Sequence, residues 1–189
     1  MLFYHIDKHH ALREDMILDK DENGLTSHGR VFWHNYQVDD RLIHWFGEHF
    51  FEQIRLKEYP QRPSRFESVF ACTEEYISHW LRLINPVEGY DWPPWLWQVE
   101  AEDYFVAEEG FLRSYFINAS TDQKILSPFW ARENARKYWN GLQIKGKLDE
   151  CDSLKSFQEV PDSPVEILLR PPVKVVRRIS LKEDGITRG

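Results

Sequence analysis

A chain of 189 residues has room for one sizeable core, and a 42% apolar content with eight tryptophans is that of a globular protein rather than a disordered one. A net charge of −7 argues against whole-surface attraction to nucleic acid, because phosphate binding needs a positive field. No run approaches the ~18 apolar residues of a membrane helix. The opening Met1 to Asp7 lacks the basic head and apolar centre of a secretory signal. Two distant cysteines, Cys72 and Cys151, read as thiols of a reducing compartment, so a cytoplasmic location is expected.

In chain order, Leu2 to Ile6 predicts a first strand. Asp19 to Gly24 predicts a turn, lacking the closing Glu at calcium-loop spacing. Asp39 or Asp40 caps a helix reaching about Lys57, whose apolar face carries Leu42, Ile43, Trp45, Phe46, Phe50 and Ile54. Tyr59 to Pro63 breaks it. Arg65 to Cys72 predicts a strand with Phe66, Ser68 and Phe70 on one face. Thr73, followed by Glu74 and Glu75, caps a helix that stops at Pro86. Trp92 to Trp95 is a stiff connector, Leu96 to Glu102 a strand, and Tyr104 to Ala107 continues or pairs with it. Ser127-Pro128 starts a helix ending near Gly141, with Trp130, Tyr138 and Trp139 as core. Val165 to Leu169 and Val173 to Ile179 are two strands around Pro171-Pro172. One domain over 1–180 with a frayed tail over 181–189 is expected. Few short strands without βαβ rhythm predict an α+β class: a split, mostly antiparallel sheet flanked by helices.

No GxGxxG, P-loop, HExxH or GxSxG is present. His5, His9 and a distant carboxylate would be the starting point for a metal site, but no ligand spacing supports one and no metal is expected. Arg170, Lys174, Arg177 and Arg178 read either as a charged strand edge or as a groove for phosphates. Arg132 and Arg136, one turn apart, could face an anion.

Three segments could carry chemistry: Tyr4-His5 at the end of the first strand, Arg65 to Ala71 leading into a capped helix, and Glu166 alone in an apolar strand before a proline step. In that order they resemble the ADP-ribosyltransferase superfamily, in particular its His-Tyr-Glu branch, over almost the whole chain. The sequence departs from that pattern in Ile6, where Gly often follows the histidine, and in Ser68 or Phe70, where Tyr is common. The resemblance implies NAD as substrate. Glu166 would stabilise the positive charge developing on ribose as nicotinamide leaves. His5 would position a ribose hydroxyl or the carboxamide, and Tyr4 would lie beside it. Phe66 or Phe70 would stack on nicotinamide, Ser68 would bond its carboxamide, and Arg65 would meet the pyrophosphate. The acceptor, whether protein, nucleic acid or small molecule, is not legible; the acidic charge makes nucleic acid the less natural one. The competing expectation is a non-catalytic interaction or immunity protein using Trp92 to Trp97 as its contact surface.

Overall fold

The computed structural model describes residues 1–34, 42–84, 93–112, 115–117, 124–141 and 164–180. The elements are β1 (Leu2–Asp7), β2 (Ile17–Leu18), α1 (Ser27–His34), α2 (Leu42–Glu58), β3 (Val69–Ala71), α3 (Ile77–Leu83), β4 (Trp95–Glu100), β5 (Tyr104–Glu108), β6 (Tyr115–Ile117), β7 (Lys124–Leu126), α4 (Pro128–Asn140), β8 (Val165–Leu169) and β9 (Val173–Ile179). The α+β class is as expected: helices flank sheets in which every pairing among the described residues is antiparallel. The expected caps at Asp39 or Asp40, the stop at Pro86, Trp92, Cys151 and the tail over 181–189 lie outside the described residues.

Strand order is β1-β4-β9-β2 in one sheet and β3-β8-β5 in a second, with β6-β7 a separate pair. Among the described residues a single bridge joins the first two: Tyr4 and Cys72 exchange backbone hydrogen bonds of 3.0 and 2.9 Å. Beyond that bridge β1 and β3 pair no further, and the sheet forks there.

Alternation of side chains across the strands then defines three apolar clusters. Phe3, Val99 and Val175 from the first sheet meet Val69, Ala71, Ile167 and Leu169 from the second, forming the inner core. The outer face of the second sheet, with Phe105, Ala107 and Leu168, is covered by Phe51 and Ile54 of α2 and by Ala135, Tyr138 and Trp139 of α4. The outer face of the first, through Leu96 and Ile179, is covered by α3 with Ile77, and Cys72, next after β3, joins that cluster.

Helix α4 forms where its signals stand. Ser127 Oγ accepts the Trp130 N–H, Pro128 occupies the first turn, and Gly141 ends the helix at φ 70°. Tyr138 and Trp139 are fully buried, as expected of core. The strand expected over Arg65 to Cys72 is shorter. Residues Arg65–Glu67 form a 3-10 turn, because Ser64 Oγ accepts the Phe66 N–H and satisfies a helical start. Phe66 and Phe70 therefore do not share a strand face. Thr73 also departs from expectation: it precedes a 3-10 turn over Glu74–Tyr76 and makes no side-chain cap bond, its hydroxyl donating instead to Glu75. Tyr104 to Glu108 neither continues nor pairs with β4; it crosses to β8 in the other sheet.

Helix α1 was not expected. It rests on the 3-10 turn at Arg65–Glu67, where Thr26 donates from both N and Oγ1 to the Phe66 carbonyl at 2.9 and 3.1 Å. Among the described residues no helix is long and apolar enough to cross a membrane.

Candidate functional site

The fork between β1 and β3 and the outer face of β3 and β8 hold the residues of interest. At the fork, His5 Nδ1 lies 2.7 Å from the Phe70 carbonyl oxygen. A carbonyl only accepts, so Nδ1 carries the proton and Nε2 presents a lone pair. Burial lowers the His5 pKa from its usual 6.5, opposed by the Phe70 carbonyl and by Asp7. The ring is therefore neutral and fixed in one tautomer.

This depressed value carries a pH signature. Stability that depends on neutral His5 is fully present above 6.5 and is lost as pH falls below it, because the unfolded chain then binds the proton more readily. Buried Glu108, whose pKa burial pushes up to about 7, acts oppositely and favours acid pH. The difference between wild type and His5→Gln isolates the histidine. The loss of Tm from pH 7 to pH 5, followed by thermal unfolding, is expected to be smaller in the variant. An equal loss in both would remove the assignment.

Across β3 lies a second group, on the outer face. Arg65, 5% exposed, donates to both carboxylate oxygens of Glu48 at 2.8 Å, to Tyr138 Oη at 2.9 Å and to Glu166. Its guanidinium also lies over the Phe70 ring, 4.9 Å from the centroid. Tyr138 donates to Glu166 as well. His28 Nε2 stands 3.6 Å from Glu48 and its ring packs against Phe70. Burial disfavours ionised Glu48, but Arg65 and His28 outweigh it and hold the carboxyl far below the usual range. Burial likewise opposes the Arg65 charge, and Glu48 and Tyr138 reverse that, raising its pKa. Burial raises the Tyr138 pKa, so its hydroxyl is a donor.

The arrangement joins three of the sequence candidates, Arg65, Phe70 and Glu166, and links His5 to them only through the Phe70 backbone. Strands β1, β3 and β8, which carry His5, Phe70 and Glu166, are neighbours. The Cα atoms of His5 and Glu166 stand on the order of 10 Å apart, two strand spacings. Their side chains leave opposite faces, however. His5 shares the face of Phe3, whereas Glu166 shares that of Leu168 and Phe70. Glu166 is 3% exposed and faces α4, not a cleft.

Other candidates have partners that sequence reasoning did not supply. The Arg65 guanidinium is fully engaged with carboxylates and Tyr138, so it does not stand open to a pyrophosphate. Ser68, 1% exposed, donates to the Ser64 carbonyl at 2.6 Å. Phe66 is core, beside the rings of His49 and Trp33. Tyr4 donates to Glu74 at 3.5 Å across the surface. Arg136 pairs bidentately with Glu58 and with Glu133 rather than facing an anion. In the basic segment, Lys174 pairs with Asp15, Arg177 donates to Gln98, Arg178 lies over Trp95 and Arg170 meets Asp103. The expected Trp contact surface is partly core, since Leu96 and Trp97 are buried in the sheet. Among the described residues no three His, Cys, Asp or Glu side chains are grouped to hold a metal. Cys72 is buried and its thiol is pushed up to about 12 by that burial, so it is no nucleophile.

These features define an α+β protein with a forked antiparallel sheet and a buried Arg-carboxylate cluster beside the fork. Residues 3–154 match the family described as protein of unknown function (DUF2441), and the chain belongs to that family. That span covers β1 to α4 and stops short of β8, the strand of Glu166. No curated protein matches the chain.

Proposed function

We propose that the chain is a cytoplasmic NAD-dependent ADP-ribosyltransferase acting at the fork between β1 and β3, on a protein, nucleic-acid or small-molecule acceptor. One observation carries the reading. His5, Phe70 and Glu166, one from each of three short motifs, stand on three adjacent strands, and the foremost, His5, offers an unprotonated Nε2 at the fork. Such a nitrogen accepts a hydrogen bond from a ribose hydroxyl and positions the sugar without itself transferring a proton. Glu166 would meet the positive charge developing on ribose, for which its carboxylate has to leave Arg65 and Tyr138 and come round to the face of His5.

The burial of Glu166 on the opposite face favours a second reading, a non-catalytic interaction protein in which that carboxylate is purely structural. One experiment separates the two. The purified chain is mixed with NAD and a cell lysate, and nicotinamide release is followed by mass spectrometry. ADP-ribosyl transfer predicts release, thermal protection by NAD, and loss of release in Glu166→Gln with a folded variant. His5→Ala is expected to raise KM more than it lowers kcat. Absence of both release and thermal protection would leave only the interaction reading.

A further inference from the structure

The geometry points to a binding pocket for a small phosphate monoester, separate from the fork and independent of the NAD reading. A cavity of about 240 Å³ opens between the loop after α2, the residues after β2 and the β8–β9 turn. Four cations line it: Lys20, Arg55, Arg62 and Arg170. Three of them have a carboxylate beside them. Arg55 is held bidentately by Glu52 at 2.7 and 3.0 Å, Arg170 lies 3.2 Å from Asp103, and Lys20 lies 3.1 Å from Glu67.

Arg62 differs. Its Nε donates to the Trp139 carbonyl at 3.1 Å and its guanidinium lies over the Phe105 ring, 4.7 Å from the centroid. Those two contacts fix the plane of the group. Its terminal nitrogens have no partner among the described residues, and no carboxylate answers its charge there. A half-buried guanidinium whose orientation is set and whose forked donors are unused is built to take an oxyanion. Ser64, 5% exposed, adds a second donor: its Oγ accepts the Phe66 N–H, so its own proton is left for the cavity. Lys20, at the rim, is exposed and can turn from Glu67 to a bound anion.

The remaining lining names the rest of the ligand. Glu67 is half exposed at the same rim and can only accept, so a hydroxyl there is recognised and a second anion is repelled. The cavity exceeds the needs of phosphate alone, and Pro60, Pro63 and Pro171 stiffen its walls. The class that satisfies both ends is a phosphate monoester on a small hydroxylated carbon skeleton.

Calorimetric titration of the whole chain with ribose 5-phosphate, inorganic phosphate and ribose tests this. Saturable binding is expected for the ester, weaker binding for inorganic phosphate and none for ribose. Arg62→Gln is expected to weaken ester binding about tenfold or more, the loss of a charged hydrogen-bonding partner. Since Arg62 also braces α4, Lys20→Gln, at an exposed side chain, serves as the second variant and is expected to weaken binding a few-fold while the fold is kept. No saturation by the ester up to about 10 mM would overturn the proposal, as would unchanged affinity in both variants. Equal affinity for ester and inorganic phosphate would overturn the hydroxyl-bearing part. His5→Ala is expected to leave this binding intact, so its outcome is distinct from that of the NAD experiment.

Discussion

Arg65→Met is expected to destabilise the protein by about 3–5 kcal/mol, the range for removing one partner from a buried ion pair. The reason lies in the charge of the cluster. Buried Glu166 and partly buried Glu48 share one guanidinium, and methionine would leave both carboxylates without it. Tyr138 and His28 cannot replace it, since one is a neutral donor and the other stands 3.6 Å away on the Glu48 side. Glu166→Gln is expected to cost less, about 1–2 kcal/mol, because Arg65 keeps Glu48 as its counter-charge and the amide oxygen still accepts from Tyr138. For a chain of this length those values correspond to a Tm lowered by about 6–20 °C and about 2–8 °C, respectively. Chemical denaturation of the two variants checks the ranking. A Glu166→Gln loss as large as that of Arg65→Met would mean that Glu166, rather than Glu48, is the main counter-charge. The same ranking makes Glu166→Gln usable as a catalytic probe, since a folded protein remains in which to look for lost nicotinamide release.

How far this cluster was legible in the sequence follows from the kind of signal each residue emits. Arg65, Phe70 and Glu166 stand out because they interrupt or begin apolar runs. Glu48 does not, because a glutamate in a helix is ordinary on an exposed face. Its one signal is position: Phe51, Glu52 and Arg55 follow at three, four and seven residues, so the acid shares the stripe that α2 buries. Tyr138 was legible as core but not as a donor to Glu166, a contact made by residues 28 apart in sequence.

The fold shows the same division. Helix α4 and strands β8 and β9 follow from local signals, namely a Ser-Pro start, a terminal glycine and valine-rich runs. The 3-10 turn at Arg65–Glu67 had a signal that strand alternation masked, the spacing of Ser64 and Glu67 that marks a capped helical start. The opposite faces of His5 and Glu166 follow from register, which rests on the single Tyr4–Cys72 bridge and has no local signature. Helix α1 had little to announce it, since Ser27-His28-Gly29-Arg30 is a weak helical start and the segment is held by packing on the turn below.

That packing gives the second large effect, Gly29→Ala. Helix propensity alone makes the substitution favourable, by roughly 0.5–1 kcal/mol, because glycine in a helix interior leaves more freedom to lose. The contact predicts the reverse. A Cβ on Gly29 would lie 2.1 Å from the Phe66 carbonyl oxygen and 2.9 Å from its carbon, both backbone atoms that no side-chain rotation can clear. The same carbonyl already accepts two hydrogen bonds from Thr26, so moving it breaks the seam between α1 and the turn. Relief requires α1 to lift, and with it His28, the residue beside Glu48 and Phe70. The expected cost is about 3 kcal/mol or more, at or above the upper end for overpacking, since backbone and not side chain has to yield. Urea unfolding reads the sign directly. A stabilised Gly29→Ala would show that α1 does not sit on Phe66, and His28 could then no longer be counted among the partners of Glu48.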